Sequence, residues 1–150
     1  MAQGPSAAET GAPGAVSRHA ARTRALEMLY EADLKDRPLA EVLANHLADE
    51  EPPPEFAVAL VRGVHRHRDE IDGLIETHSR GWKLSRMPVV DRNVLRLGLF
   101  ELLHSPDVPR AVAIDEAVEL AKELSTEDSG RFVNGLLSRA VEAEDTPDAD

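Results

Sequence analysis

Residues 88–104 read PVVDRNVLRLGLFELLH, and this stretch decides the fold class. Apolar side chains fall on most sides of a helix built from it, which is typical of a helix surrounded by other elements. Ser105, Pro106 and Pro109 follow and end the helix, because proline cannot continue it. The stretch therefore predicts a buried central helix in a helical domain.

The segments before this helix repeat apolar residues at helical spacing, and none alternates with the period of two that marks a strand. Ser17 is placed to cap a first helix, and Pro38 can occupy the first turn of a second. After the proline break at 52–54, a third helical stretch extends over residues 55–78, bent or broken on the way. This half of the chain, about residues 17–80, is predicted to form one helical lobe.

The segments after residue 80 are also helical in pattern. The connection 81–87 has room for one short turn, and the central helix follows it. Another amphipathic helix covers 111–124, and Asp128 or Ser129 can cap the last helix. With residues 81–141 as a second lobe, the chain is predicted to be all-α, with two short helical bundles packed on each other.

Both ends of the chain lack the composition of a folded segment. Residues 1–16 consist mostly of Gly, Ala, Pro and Ser with one charge, and residues 142–150 carry five acids and no base. Such segments bury too little apolar surface to order themselves, so we expect two disordered tails. The sequence has no signal peptide, no membrane span and no cysteine, so we expect a cytoplasmic protein without membrane contact or disulfides.

Charge is unevenly distributed in a chain whose formal net charge is -11. Basic residues, most of them arginine, concentrate in three stretches: 15–26, 62–68 and 83–96. Arginine suits phosphate binding because its guanidinium offers a planar set of hydrogen-bond donors. The alternative is that these arginines only cover solvated helix faces, and composition leaves that open.

Tyr30 is a candidate stacking platform for an unpaired base. On a helical wheel of about 100° per residue it falls roughly 160° from the centre of the apolar stripe, which lies between Ala21 and Ala25. An exposed ring near arginines can bind single-stranded bases by stacking. The alternative is that the first helix buries two faces and Tyr30 packs against a neighbour. Phe132 presents a similar choice between the edge of the core and exposure beside helix-start N–H groups that attract phosphate.

The sequence offers no catalytic constellation. His65 and His67 are two residues apart, so a helix would turn them to different sides. His104 stands near Asp107 at a helix end, with no nucleophile placed beside it. Glycine-rich phosphate loops and paired thiolates are absent from the sequence. We therefore expect no enzyme, no metal site and no cofactor.

Three stretches, in this order along the chain, carry a family resemblance. Residues 18–30 read RHAARTRALEMLY, and residues 90–103 run from VDRNVLR to FELL. Residues 112–137 read VAIDEAVELAKELSTEDSGRFVNGLL, in which Phe-Val-Asn-Gly at 132–135 is the most specific piece. Together they resemble the NusB family of transcription antitermination factors, over roughly residues 17–141.

The resemblance implies two perpendicular three-helix bundles, and binding to the boxA element of ribosomal RNA leader transcripts. It also implies pairing with NusE, a small-subunit ribosomal protein, and indirect loading onto RNA polymerase with other factors. The residues that it implies for RNA contact are Arg18, Arg22, Tyr30, Arg96, Asp128 and Phe132. Asp91 and Arg92 would lie near the surface that meets NusE.

The chain departs from the family pattern in its N-terminal basic run, where His19, Ala20 and Thr23 stand at positions that are often arginine in relatives. We therefore expect RNA binding to depend more on NusE, with a homodimer left open as a storage form. A second hypothesis is a helical adaptor that acts mainly through protein contacts. Exposure of Tyr30 beside Arg18 and Arg22 would favour the RNA-binding hypothesis over this one.

Overall fold

The structure, a computed structural model, describes residues 17–145. Within this range it contains helices and no strand, which confirms the all-α prediction. The helices are α1 Arg18–Lys35, α2 Leu39–Leu47, α3 Glu55–Arg66, α4 Arg68–His78, α5 Val89–His104, α6 Arg110–Leu124 and α7 Glu127–Asp145. A short 3-10 helix, Leu84–Arg86, lies in the connection before α5. The predicted tail at 1–16 lies outside the described residues.

Side-chain caps fix where the first and last helices begin. Ser17 Oγ accepts a hydrogen bond from the Ala20 N–H at 3.1 Å, so the predicted cap of α1 is confirmed. Thr126 Oγ1 accepts from the Ser129 N–H at 3.0 Å, so Thr126 caps α7. The prediction that Asp128 or Ser129 caps this helix is wrong, because both residues lie within its first turn.

The third helical stretch is broken at His67 into α3 and α4. The sequence analysis assigns α4 to the first lobe, which it ends at residue 80. In the structure α4 packs more extensively on α5 and α7 than on α3. The helix α4 therefore packs mainly with α5 and α7, and its apolar side chains Ile71 and Ile75 are buried in the core that the helices share.

The predicted central helix α5 contacts five of the six other helices: α1, α3, α4, α6 and α7. Its side chains Val94, Leu95, Leu97 and Leu99 are buried in the common core. Both bundles therefore share this helix, and groups on α5 can reach α1 on one side and α7 on the other.

Gly98 allows α6 and α7 to approach α5 closely. A Cβ placed on Gly98 would lie 2.9 Å from Leu137 Cδ1 and 3.2 Å from Ala117 Cβ. A Cβ on Gly73, in α4, would meet nothing within 4 Å. Replacing glycine with alanine raises the helix propensity equally at both positions. The difference in stability between the two variants therefore measures the steric cost at Gly98.

We expect Gly98→Ala to be less stable than the matched variant Gly73→Ala by about 1–3 kcal/mol, the usual cost of overpacking a core. Gly73→Ala itself should be slightly more stable than the parent chain. Urea denaturation of the three proteins measures both differences. Equal stabilities of the two variants would mean that α5 and α6 do not pack this closely.

The last helix continues to Asp145, so the acidic tail predicted from residue 142 begins at least four residues later. Arg110 Nη1 lies 2.5 Å from Asp145 Oδ1, and this ion pair holds the end of α7 against the start of α6. Residues 146–150 of the predicted tail lie outside the described range. No helix within residues 17–145 is both long enough and apolar enough to cross a membrane.

Candidate nucleic-acid interface

Tyr30 points outward from α1, as the helical wheel predicts, and is 36% exposed. It lines an open surface depression together with Leu26, Glu27, Val90 and Leu124. The depression brings the outer face of α1 next to the start of α5 and the end of α6. The ring is therefore available to a ligand on a surface that is mainly apolar.

Arg18 lies at the other end of α1 and keeps its guanidinium partly exposed. The guanidinium carbon lies 4.3 Å from the centre of the Phe56 ring, and the group is 3.9 Å from the Asp107 carboxylate. The cation–π contact holds the charge in place without removing its donors from solvent. The Arg18 guanidinium is therefore accessible to a phosphate, but it is twelve residues, or about 18 Å, from Tyr30 along the helix.

Arg22 is buried, with only 3% of its surface exposed. Its Nε and Nη2 donate to the two carboxylate oxygens of Glu101 on α5, each at 2.9 Å. Glu116 of α6 lies 3.6 Å from Nη1. The RNA contact expected of Arg22 stays a prediction, and the structure argues against it, because α5 covers this side of α1 and the Glu101 carboxylate accepts from Nε and Nη2.

Arg96 is also buried, at 4% exposed, in a charged network between α1, α4 and α5. Its Nε lies 2.8 Å from Asp72 Oδ1, and its Nη1 lies 2.9 Å from Asp33 Oδ2. The RNA contact expected of Arg96 stays a prediction, and the structure argues against it, since carboxylates from two other helices enclose the guanidinium.

Asp33 is the shared acceptor of this network. Arg92 donates to both of its oxygens, at 2.6 and 2.7 Å, and Asn93 Nδ2 donates at 2.9 Å. Burial raises the pKa of the Asp33 carboxyl, but the hydrogen bonds from Arg92 and Asn93 and the charge of Arg96 outweigh it and lower the pKa to about 2. Arg92, which is predicted to meet a partner, therefore uses its Nε and Nη2 donors to bind the Asp33 carboxylate of α1.

Asp91, the other predicted partner residue, is 2% exposed. Its Oδ2 accepts a hydrogen bond from Ser129 Oγ at 2.8 Å, which ties the start of α5 to the start of α7. The partner contact expected of Asp91 stays a prediction, and the burial of its side chain argues against it.

Phe132 is half-buried, and its ring meets Trp82 edge to face, with 4.9 Å between the ring centres. Trp82 itself is 37% exposed. Sequence reasoning missed Trp82, although the only tryptophan of the chain, placed in a polar connection between Gly81 and Lys83, was a usable signal. The pair offers an aromatic edge with a free indole surface.

Asp128 lies in the first turn of α7, is exposed, and forms an ion pair with Arg131. Its side chain is open to solvent, as a contact residue requires. Of the eight predicted site residues, the structure thus leaves five wholly or partly at the surface: Arg18, Tyr30, Arg92, Asp128 and Phe132.

Residues 19–142 match the model of the NusB family. The chain belongs to this family. A relative from Thermobifida fusca, the transcription antitermination protein NusB, is 56% identical over 127 residues, which cover 84% of this chain and 89% of the relative. The protein of the same name from Salinispora arenicola is 52% identical over 130 residues, 84% of this chain and 96% of the relative.

Solved structures of NusB proteins share the fold. The crystal structure of NusB from T. maritima aligns with a TM-score of 0.76 at 38% identity, covering 85% of this chain and 92% of that one. A crystal structure of the antitermination factors NusB and NusE in complex with dsRNA aligns with a TM-score of 0.70 at 34% identity, covering 84% and 96%.

The exposed candidates of this NusB-family chain lie on α1 and α7, and α5 connects the two helices through buried contacts. Val90 lines the depression beside Tyr30, and the next residue, Asp91, binds Ser129 in the first turn of α7. Phe132 follows Asp128 by four residues, so both lie on the same side of α7. Trp82 extends this surface beyond Phe132. We refer to Tyr30, Asp128, Phe132 and Trp82 together as the aromatic face.

Proposed function

We propose that the protein is a transcription antitermination factor that binds the boxA element of ribosomal RNA leader transcripts together with the ribosomal protein NusE, and so acts on RNA polymerase indirectly. The observation that carries the proposal is the aromatic face, whose three rings, Tyr30, Trp82 and Phe132, are exposed or half-exposed. Relatives named transcription antitermination protein NusB, and the NusB–NusE complex with dsRNA, support it.

Single-stranded RNA suits this face because unpaired bases stack on aromatic rings. Arg18 supplies a cation at the far end of α1, where the backbone of the same strand can be held. Such a protein binds and positions RNA without changing a covalent bond, so the proposal includes no enzymatic activity. We also propose that the protein acts in the cytoplasm, because bacterial transcription takes place there.

The net charge of -11 opposes RNA binding by the protein alone. Burial of Arg22 and Arg96 removes two of the cations that the sequence assigns to the RNA surface. A basic partner that holds the same strand would compensate for this loss, since two joined surfaces bind more tightly than either one.

We expect NusE to raise the affinity for a boxA-containing RNA by at least about tenfold. Titration of labelled RNA with the protein, with NusE, and with the equimolar mixture measures this effect. An RNA with a scrambled boxA sequence is the control for specificity. Equal affinities with and without NusE would contradict the cooperative part of the proposal.

Tyr30→Ala should weaken RNA binding by about 1–3 kcal/mol, roughly 5- to 150-fold, because one stacking contact is lost. Tyr30→Phe should retain most of the affinity, since the ring makes the contact. Leu34→Ala is the matched control, because Leu34 is exposed on α1 one turn further on. Melting temperatures check that all variants fold, and a folded Tyr30→Ala protein with full RNA affinity would refute the stacking role.

The adaptor hypothesis stays as a second candidate because the depression beside Tyr30 is mainly apolar and contains no basic residue. A protein partner could cover such a surface. If Tyr30→Ala weakens NusE binding while RNA affinity of the protein alone is unchanged, Tyr30 serves the protein contact. Analytical ultracentrifugation of the same variants reports whether a homodimer covers it instead.

A further inference from the structure

We infer that His67, Glu70 and His104 form a binding site for a divalent transition-metal ion of the zinc type. The three residues meet where α4 begins and α5 ends: His67 stands at the break before α4, Glu70 lies in its first turn, and His104 is the last residue of α5. The site is separate from the aromatic face and does not depend on the proposed function.

The donor atoms of the three residues lie close enough together to chelate one ion. Glu70 Oε1 lies 3.0 Å from His104 Nε2 and 3.5 Å from His67 Nδ1, and one donor atom from each residue lies within 4.8 Å of the others. Bonds of about 2.0–2.2 Å in a tetrahedron place neighbouring donors about 3.3–3.6 Å apart. Two of the three separations are therefore already close to the required value.

The chemical types of the three ligands determine which metal ions the site prefers. Two imidazoles and one carboxylate suit Zn²⁺ and its neighbours in the transition series, whereas Mg²⁺ and Ca²⁺ prefer sets of oxygen ligands. Three protein ligands leave a coordination position for water. We therefore expect moderate affinity and no competition from Mg²⁺.

The two imidazole rings are stacked, with 3.7 Å between their centres and 13° between their planes. The nitrogen lone pairs lie in the ring planes, so a shared ion requires at least one ring to turn about its Cβ–Cγ bond. Both side chains are partly open to solvent, which permits this turn. Phe100 lies beside both rings, at 6.1 and 5.8 Å, and supports them from the α5 side.

The carboxylate of Glu70 has no competing cation. Among the described residues, no Arg or Lys nitrogen lies within 4 Å of it, and its ion-pair partners are the two histidines. The neighbouring Arg68 is instead bound to Asp72 at 2.9 Å. Glu70 is therefore free to turn its charge towards an ion that both imidazoles also reach.

A bound ion would join the start of α4 to the end of α5 and stabilise the folded chain by mass action. At a free concentration of about 100 times the dissociation constant, the melting temperature should rise by roughly 5–10 °C. This shift is a readout that does not depend on RNA binding.

The test is calorimetric titration of the full chain, without a histidine tag, with ZnCl₂ in the presence of excess MgCl₂. We expect one ion per chain and a melting temperature that rises with Zn²⁺. His104→Gln and Glu70→Gln should each weaken binding by at least about tenfold, because each removes a ligand. His65→Gln is the matched control, since His65 is exposed two residues before His67 but lies outside the cluster, and it should bind as the parent chain does.

Melting curves without metal establish that each variant folds. The proposal is overturned if the parent chain binds no Zn²⁺, if Mg²⁺ displaces it, or if His65→Gln weakens binding as much as His104→Gln does. Zn²⁺ binding that survives unchanged in both ligand variants would place the ion elsewhere and would also overturn it.

Discussion

Replacing Arg96 with alanine should lower the free energy of unfolding by about 3–5 kcal/mol, the usual cost of removing one partner from a buried ion pair. The guanidinium joins Asp33 of α1 and Asp72 of α4 to α5, and its loss removes both links and leaves a buried cavity, although Arg92 and Arg68 still pair with the two carboxylates. The melting temperature should fall by roughly 10 °C. Urea denaturation and thermal melting measure the two quantities.

Arg131→Ala is the matched control for this prediction. Arg131 also forms an ion pair, with Asp128, but both side chains are mostly exposed, so its loss should cost less than about 1 kcal/mol. A similar loss of stability in the two variants would show that burial does not set the strength of the Arg96 network.

The second large effect is expected at the buried pair of Arg22 and Glu101. Arg22→Ala should cost about 3–5 kcal/mol, because the Glu101 carboxylate then loses both of its short hydrogen bonds inside the core. Replacing both partners, as in Arg22→Met with Glu101→Leu, should restore most of the stability, since apolar side chains of similar volume leave no buried charge. Comparing the single and double variants gives the coupling between the two residues.

The same variants separate a structural role from an RNA contact. The folded double variant should bind RNA with the salt dependence of the parent chain, because Arg22 does not reach the surface. Arg18→Ala, in contrast, should flatten the log–log salt dependence by up to about 0.7 if Arg18 holds one phosphate of a single strand. A double variant that is stable but has a flatter salt dependence would contradict the burial of Arg22.

Several features of the fold and of the interface follow from the sequence by itself. The apolar pattern of residues 88–104 determined the central helix, the spacing of small and apolar residues determined the buried side of α1, and Ser17 determined where α1 begins. The outward position of Tyr30 follows from the same helical period. These features depend on residues within a few turns of one another, so local periodicity and capping are sufficient to predict them.

Only the tertiary structure decided which charged residues are buried and which carboxylates they bind. A helical wheel places Arg22 at the edge of the stripe, but its partner Glu101 is 79 residues away, and Arg96 meets Asp33 from 63 residues away. Burial of an arginine is tolerated only where a carboxylate from another helix satisfies its donors, and no local pattern indicates which helix will supply it. The pairing of Trp82 with Phe132 and the meeting of His67, Glu70 and His104 have the same origin, because each joins residues that are distant in sequence and are brought together by the packing of α4, α5 and α7.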